Sequence, residues 1–411
     1  MNTNLWRHRD FRLYWTGQAT DVLGSSLSSV AIPLVAVVTL HASAWQAAVL
    51  AAVQKTPPLL FSLPAGAWAD RLRKRPLMIA TDLACAAAMA TIPLAAAANQ
   101  LTLVQLWLVA FVVGSCQVIG MAASLSYIPS LLHPDQLLQA HSKLASANTL
   151  ADIGGPTLAG ALIGLIGAAH AVAVDAASYI VSAWCTFRIR TPEPEPQPSA
   201  AEHSLRREIR EGLAYTWRHP VIGPLVTTNM LTSTVLAGTS AIWVVYLLRD
   251  LHWSPQAFAV VIAIGASGGF LASLVAGHLT DHLGAGPVMI SALVLAPVSQ
   301  LPLLLARPGA AGQLAICCGL FVQLFGAVTH GLTQRTVRQR ACAAEMQGRM
   351  QATGQWTAFG LRPFAALLAG TASTVISLHT ILTIGACLLV LPPIRLTLTP
   401  LRTLRLTTAP A

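Results

Sequence analysis

Four ionisable residues stand deep inside otherwise apolar stretches of this chain: Asp21, Lys55, Asp152 and Arg362. A charge in hydrocarbon is expensive, so such residues face a polar cavity or a partner and mark where protons, ions or substrates pass. Asp21 lies about nine residues into the first apolar run, roughly 13 Å along a helix that rises 1.5 Å per residue. A carboxylate there has three uses. It can carry a proton, hold a cationic substrate group, or accept hydrogen bonds from Ser25 or Ser26. Asp152, just before Gly155-Pro156, offers proton or substrate coupling, or an interhelical polar contact worth only about 0.6 kcal/mol. Lys55 and Arg362 need anionic partners. Asp21 or Asp152 can serve, or an anionic substrate such as a catecholate or carboxylate, or the two cations are structural or gating charges. Asp82 and Asp175 lie nearer the ends of their runs and read as structural hydrogen-bond acceptors.

The elements that must position these residues are membrane helices. The chain has 411 residues, 55% hydrophobic and only 10% charged, with mean hydropathy +0.62. A water-soluble domain carries roughly 25% charged residues. The apolar runs are long and continuous, which excludes the short alternating strands of a β-barrel. Six cysteines fall in apolar runs and Cys342 in a basic loop; no CxxC pair occurs, so they read as small packing residues with no disulfide or metal framework. The short basic start at Met1 to Arg12 precedes a run too long for a cleavable signal.

A spanning helix needs about 20 mostly apolar residues. Twelve runs qualify: 13–40, 46–69, 76–97, 101–127, 143–167, 170–188, 221–247, 255–280, 286–306, 311–333, 349–372 and 374–396. Arginines and lysines crowd the loops of one face, at 7–12, 71–75, 143, 188–218, 335–349 and 395–405; the other face has only Arg249 and Arg307. By the positive-inside rule both termini are cytoplasmic. This asymmetry accounts for the net charge of +10 without a nucleic-acid partner. The expected organisation is an N-terminal six-helix bundle at 1–190 and a cytoplasmic linker at 191–219. A C-terminal bundle at 220–398 and a tail at 399–411 follow. The linker opens with the proline-alternating stretch Pro192 to Pro198, an extended spacer, and continues as an amphipathic surface helix from Glu202 to Arg218.

The halves repeat. Gly66-Ala-Trp-Ala-Asp70-Arg-Leu returns as Gly277-His-Leu-Thr-Asp281-His-Leu, 211 residues on. Gly155-Pro156 with Gly160 returns as Arg362-Pro363 with Gly370, the prolines 207 apart. Paired halves are a recurring plan of secondary transporters.

Several segments carry a specific resemblance: Phe11 to Gln18, Leu63 to Arg71, Ser126 to Leu131 with His141 to Leu144, Val174 to Tyr179, Glu208 to Pro220, and Arg338-Gln339 with Gln347-Gly-Arg349. Together they resemble the major facilitator superfamily, in its drug-efflux branch with enterobactin exporters and macrolide efflux proteins. The resemblance covers almost the whole chain. It implies an all-α integral membrane fold of twelve transmembrane helices in two pseudo-symmetric six-helix bundles. It further implies alternating access, export of a small molecule, proton antiport, a multi-pass place in the bacterial inner membrane, and a monomer surrounded by lipid. By the same resemblance Gly66, Asp70, Arg71 and Arg73 form a cytoplasmic gate latch. Gly155, Pro156 and Gly160 form an antiporter-like helix motif, and Gln18, Gln117, Trp243, Gln323 and His330 are cavity candidates. The chain departs from the family pattern in three places: Arg73 stands for a frequent glycine, Cys116-Gln117 for an antiporter arginine, and Ala151 for a glycine of the fifth-span signature.

Other function classes fit poorly. The only lysines are Lys55, Lys74 and Lys143, and none follows a glycine, so no phosphate-binding loop for ATP exists. Gly265-Ala-Ser267-Gly-Gly269 matches the hydrolase elbow formally but lies within one apolar run, where small residues let helices pack. No enzyme, cofactor or metal site is expected. Uptake of a solute and a non-transporting receptor or scaffold are the alternative functions.

Overall fold

The computed structural model describes residues 5–133, 136–193, 205–306, 308–343 and 346–404. Among these, every regular element is helical. The chain falls into two compact units, Met1–Glu202 and His203–Ala411. The first holds α1 (Arg9–Leu34), α2 (Ala44–Arg71), α3 (Lys74–Ala97), α4 (Leu103–Leu131), α5 (Leu137–Ile166) and α6 (Ala168–Phe187). The second holds α7 (Leu205–Arg218), α8 (Ile222–Val245), α9 (Pro255–Leu283), α10 (Ala285–Val298), α11 (Leu301–Leu305) and α12 (Ala310–Ala341). It ends with α13 (Gln347–Gly360), α14 (Arg362–Ala372), α15 (Leu378–Leu388) and α16 (Leu391–Thr397).

Local chemistry sets the boundaries. Ser43, Thr102, Ser254 and Ser377 each accept the N–H three residues on, and Gln46 returns the bond to Ser43 as a capping box. The first helix starts at Arg9, ahead of the expected 13, because the His8 ring takes the Phe11 N–H at 3.1 Å. Prolines break three expected runs. Pro363 lacks an N–H and restricts the residue before it, so the eleventh run divides into α13 and α14 at Leu361. Pro302 separates α11 from α10, and Pro392-Pro393 opens α16. Nine helical stretches among the described residues are long and apolar enough to cross a membrane. The other three expected runs correspond to α2, α5 and α13–α14.

The repeat is structural. Val35–Thr39 and Tyr246–Asp250 are both short π-helical turns that end α1 and α8. Each is followed by a histidine in the left-handed region, His41 at φ 51° and His252 at φ 56°. Each then closes with one backbone bond, Ala42 N–H to Ala36 O at 2.9 Å and Trp253 N–H to Leu247 O at 3.0 Å. The serine caps Ser43 and Ser254 follow. Helix pairing also matches: α1 packs on α5 and α6, α2 on α4, and α3 on α4 and α6. In the second unit α8 packs on α14 and α15, α9 on α12, and α10 on α12 and α16. Large apolar side chains cover the outside, with Leu165 81%, Leu305 77% and Leu368 69% exposed. Such a surface belongs in lipid.

The expected spacer at 192–198 lies mostly outside the described residues, as do the side chains of Asp70 and Asp152 and the surroundings of Gly66. The linker's first residues are fastened to the N-terminal unit instead of running free. Asp10 accepts from Arg190 N, Thr191 N and Thr191 Oγ1 at 3.1, 2.8 and 2.7 Å. The amphipathic segment is helical as α7 and packs on α8 and α13.

Candidate functional site

The N-terminal unit contains a cavity of ≈ 700 Å³ walled by α1 to α6. Its most polar wall is α1. Gln18, Asp21 and Ser25 recur at helical spacing and so share one face, while the opposite face of α1 must sit close to α6. Gly17 and Gly24 make that approach possible. A Cβ at Gly24 would fall 2.1 Å from Ser178 Oγ and 2.5 Å from Asp175 Oδ1.

The other five helices complete the polar lining, α2 with Gln54 and α5 with Asn148 among them. From α4, Gln117 Nε2 donates to Tyr179 Oη on α6 at 2.8 Å and to Ser25 Oγ at 3.1 Å. The Ser25 and Tyr179 hydroxyls are themselves 3.1 Å apart, closing a triangle across α1, α4 and α6. One turn towards the basic end, Ser124 Oγ donates to Gln18 Oε1 at 3.0 Å and lies 2.5 Å from Tyr14 Oη. From α3 come Thr81, Asp82 and Cys85, and Cys116 of α4 stands opposite.

Two aspartates, Asp21 and Asp82, line this cavity, and among the described lining residues there is no lysine, arginine or histidine. Asp21 Oδ1 and Asp82 Oδ2 are buried with no hydrogen-bond partner in the protein. Each oxygen can take up a proton without displacing a protein donor. Asp175 Oδ2 is likewise buried without a partner, but this aspartate is 1% exposed, takes Ser178 Oγ at 3.1 Å through Oδ1, and belongs to the α1–α6 contact rather than to the cavity wall. Polar groups converging on a largely apolar hollow, with unsatisfied carboxylates among them, are the usual marks of a ligand site.

A family model described as the Major Facilitator Superfamily matches residues 14–367. The chain belongs to the Major Facilitator Superfamily. Its relatives include the enterobactin exporter EntS of Citrobacter koseri, 24% identical over 361 residues, 85% of this chain and 82% of the exporter. The multidrug efflux pump Tap of Mycolicibacterium fortuitum is 23% identical over 94% of this chain and 95% of the pump. Among solved structures, a bacterial homologue of the iron transporter ferroportin in its inward-facing state superposes with TM-score 0.74 at 14% identity, covering 96% of this chain and 99% of that one. The nucleoside transporter NupG superposes with TM-score 0.73 at 13% identity, covering 97% and 98%. The protein is a multi-pass membrane transporter of this superfamily and not an enzyme.

Within this major facilitator chain the other expected site residues scatter. Gln18, Asp21 and Gln117 meet in the cavity. Lys55 is on α2, whose Gln54 and Pro58 line the cavity although Lys55 does not. Arg71 and Arg73 are exposed where α2 turns into α3. Gly155 lets α5 lie against α1, because a Cβ there would meet Ser26 Cβ at 2.4 Å; Pro156 and Gly160 are buried beside it. In the second unit Arg362 opens α14 with its guanidinium 4.3 Å from the Phe359 ring and its Nε buried without a partner. Trp243 packs on Phe258 at 5.7 Å, and Gln323 accepts from Gln300 Nε2 at 3.2 Å. His330, on α12, is 5% exposed, with Nδ1 3.3 Å from the Met289 carbonyl of α10. Sequence reasoning set Asp82 aside and gave Tyr179 only a family role. The signal for Asp82 was its neighbour Thr81, since two adjacent polar residues inside an apolar run suggest a wetted face.

Proposed function

We propose that this transporter exports a small organic molecule from the bacterial cytoplasm in exchange for protons, by alternating access, with Asp21 as the coupling carboxylate. The observation that carries the reading is Asp21 Oδ1, buried without a partner on the wall of the N-terminal cavity. A carboxylate so placed can exchange a proton for a substrate group, which antiport requires. The exporters EntS and Tap among the relatives support the outward direction. The absence of basic residues from the described lining supports a neutral or cationic substrate over an anionic one. The Lys and Arg bias supports cytoplasmic termini in the inner membrane. Lipid surrounds the chain, which works as a monomer, and the gate at Gly66, Asp70, Arg71 and Arg73 latches its cytoplasmic side. Asp152, Lys55 and Arg362 tune coupling.

The test is transport in everted inner-membrane vesicles, with a panel of fluorescent cationic drugs and a labelled siderophore, with and without an uncoupler. Accumulation that the uncoupler abolishes, and that Asp21→Asn no longer couples to protons, is the expected result. Proton-coupled export by Asp21→Asn would sink the Asp21 assignment. Uptake in right-side-out vesicles with none in everted ones would make the protein an importer.

A further inference from the structure

We infer that Cys85 and Cys116 form a dithiol site in the N-terminal cavity that captures trivalent arsenicals and thereby closes the cavity. The two residues are 31 positions apart in sequence and stand about midway along α3 and α4. Both line the cavity and both are free thiols. Cys85 Sγ lies 3.9 Å from the Val113 carbonyl oxygen. A helical carbonyl points along the axis towards the turn three to four residues on, and that turn is where Cys116 sits. The two thiols thus line the same cavity where α3 packs on α4. Gly114 lets Pro57 of α2 approach within 2.9 Å of its notional Cβ, and Gly120 does the same for Thr81 at 3.0 Å, so the α4 backbone is held in register against α2 and α3.

The surroundings select the ligand. Asp82 is one turn from Cys85 on α3, and Asp21 shares the same wall. The wall already holds two carboxylates, so the site favours a reagent that leaves no new charge behind. An aryl trivalent arsenical does this. Two arsenic–oxygen bonds are replaced by two arsenic–sulfur bonds, both S–H protons leave with the oxygen as water, and arsenic stays trivalent. The product bridges α3 to α4 and places an aryl group in the cavity. The blocking effect rests on the proposed transport role; the binding itself does not.

Phenylarsine oxide added to the purified full chain tests this. The expected result is arsenic bound with a component that 2,3-dimercaptopropanol releases, and that component is lost in Cys85→Ser and again in Cys116→Ser. It is kept in Cys317→Ser and Cys318→Ser, which remove the other neighbouring thiols. Alanine at either position, checked for a monodisperse elution profile, keeps the test valid if a serine variant misfolds. Unchanged arsenic uptake in the Cys85/Cys116 double variant would overturn the site. In everted vesicles the reagent should cut wild-type transport about tenfold and spare both single variants. Arsenic bound at the pair with transport unaffected would overturn closure alone.

Discussion

Glu193 caps the helix that Lys74 begins. Its Oε1 accepts the Lys74 main-chain N–H, its Oε2 takes the Arg75 N–H at 3.1 Å, and Lys74 Nζ lies 3.9 Å away. A carboxylate on two orphan N–H groups satisfies both and complements the helix dipole. Arg75 in turn reaches the carbonyls at the end of α6, Thr186 O at 3.2 Å and Phe187 O at 2.5 Å. The start of the interdomain linker is thus tied to the loop that carries Arg71 and Arg73. Glu193→Ala should lower stability by about 1–2 kcal/mol, seen as a lower apparent melting temperature in detergent. Glu193→Gln should keep part of it, because an amide oxygen still accepts. Equal melting of all three proteins would show that the cap contributes nothing.

Gly155 and Gly277 should respond oppositely to alanine. A Cβ at Gly155 would meet Ser26 Cβ at 2.4 Å and the Ser26 carbonyl carbon at 3.1 Å, so α5 must shift off α1. A cost of about 1–3 kcal/mol is expected. Nothing lies within 4 Å of the same atom at Gly277, which sits in the body of α9. There alanine should stabilise by up to about 1 kcal/mol through helix propensity. Thermal melts of the two variants in parallel decide this, and loss of stability in both would mean that contact at α1 is not what Gly155 provides.

Tyr179→Phe removes the hydroxyl that Gln117 and Ser25 share. Gln117 keeps only its bond to Ser25 at 3.1 Å. The expected loss is about 1 kcal/mol in stability, with a larger loss in transport because Gln117 is freed to rotate within the cavity. The stability and the initial transport rate, measured on the same preparation, separate the two effects.

Asp82→Asn should discriminate among substrates. It removes one carboxylate from a described lining without basic residues. For a cationic drug the KM should rise about tenfold, the loss of about 1.4 kcal/mol from one charged contact. A neutral substrate should be nearly unaffected. An equal change for both kinds would assign Asp82 to structure.

The spans were legible because hydrophobic length is a local property. Gly66 to Asp70 against Gly277 to Asp281 showed the duplication, and the fold extends it to the π-helical turns that precede His41 and His252. Asp21 was legible for the same local reason, as an acid well inside a long, mostly apolar run. His330, expected as a cavity residue, is buried with Nδ1 3.3 Å from the Met289 carbonyl. A polar residue in an apolar run can face a cavity or a backbone carbonyl, and only the packing of α10 on α12 decides for Met289 O.

Composition and run lengths by themselves determined an all-helical membrane protein, and the repeated motifs its two related halves, because lipid admits few backbone solutions and a helix satisfies its own hydrogen bonds; the transporter reading came from the family resemblance. Which polar residues meet was decided by tertiary structure alone. Asp82, Tyr179, Cys85 and Cys116 join Asp21 around one cavity through contacts between helices far apart in sequence. Helical periodicity gives each residue a face, but the helix that covers that face is chosen by close approach at positions such as Gly24 and Gly155, where a single Cβ would force α1 from its neighbours.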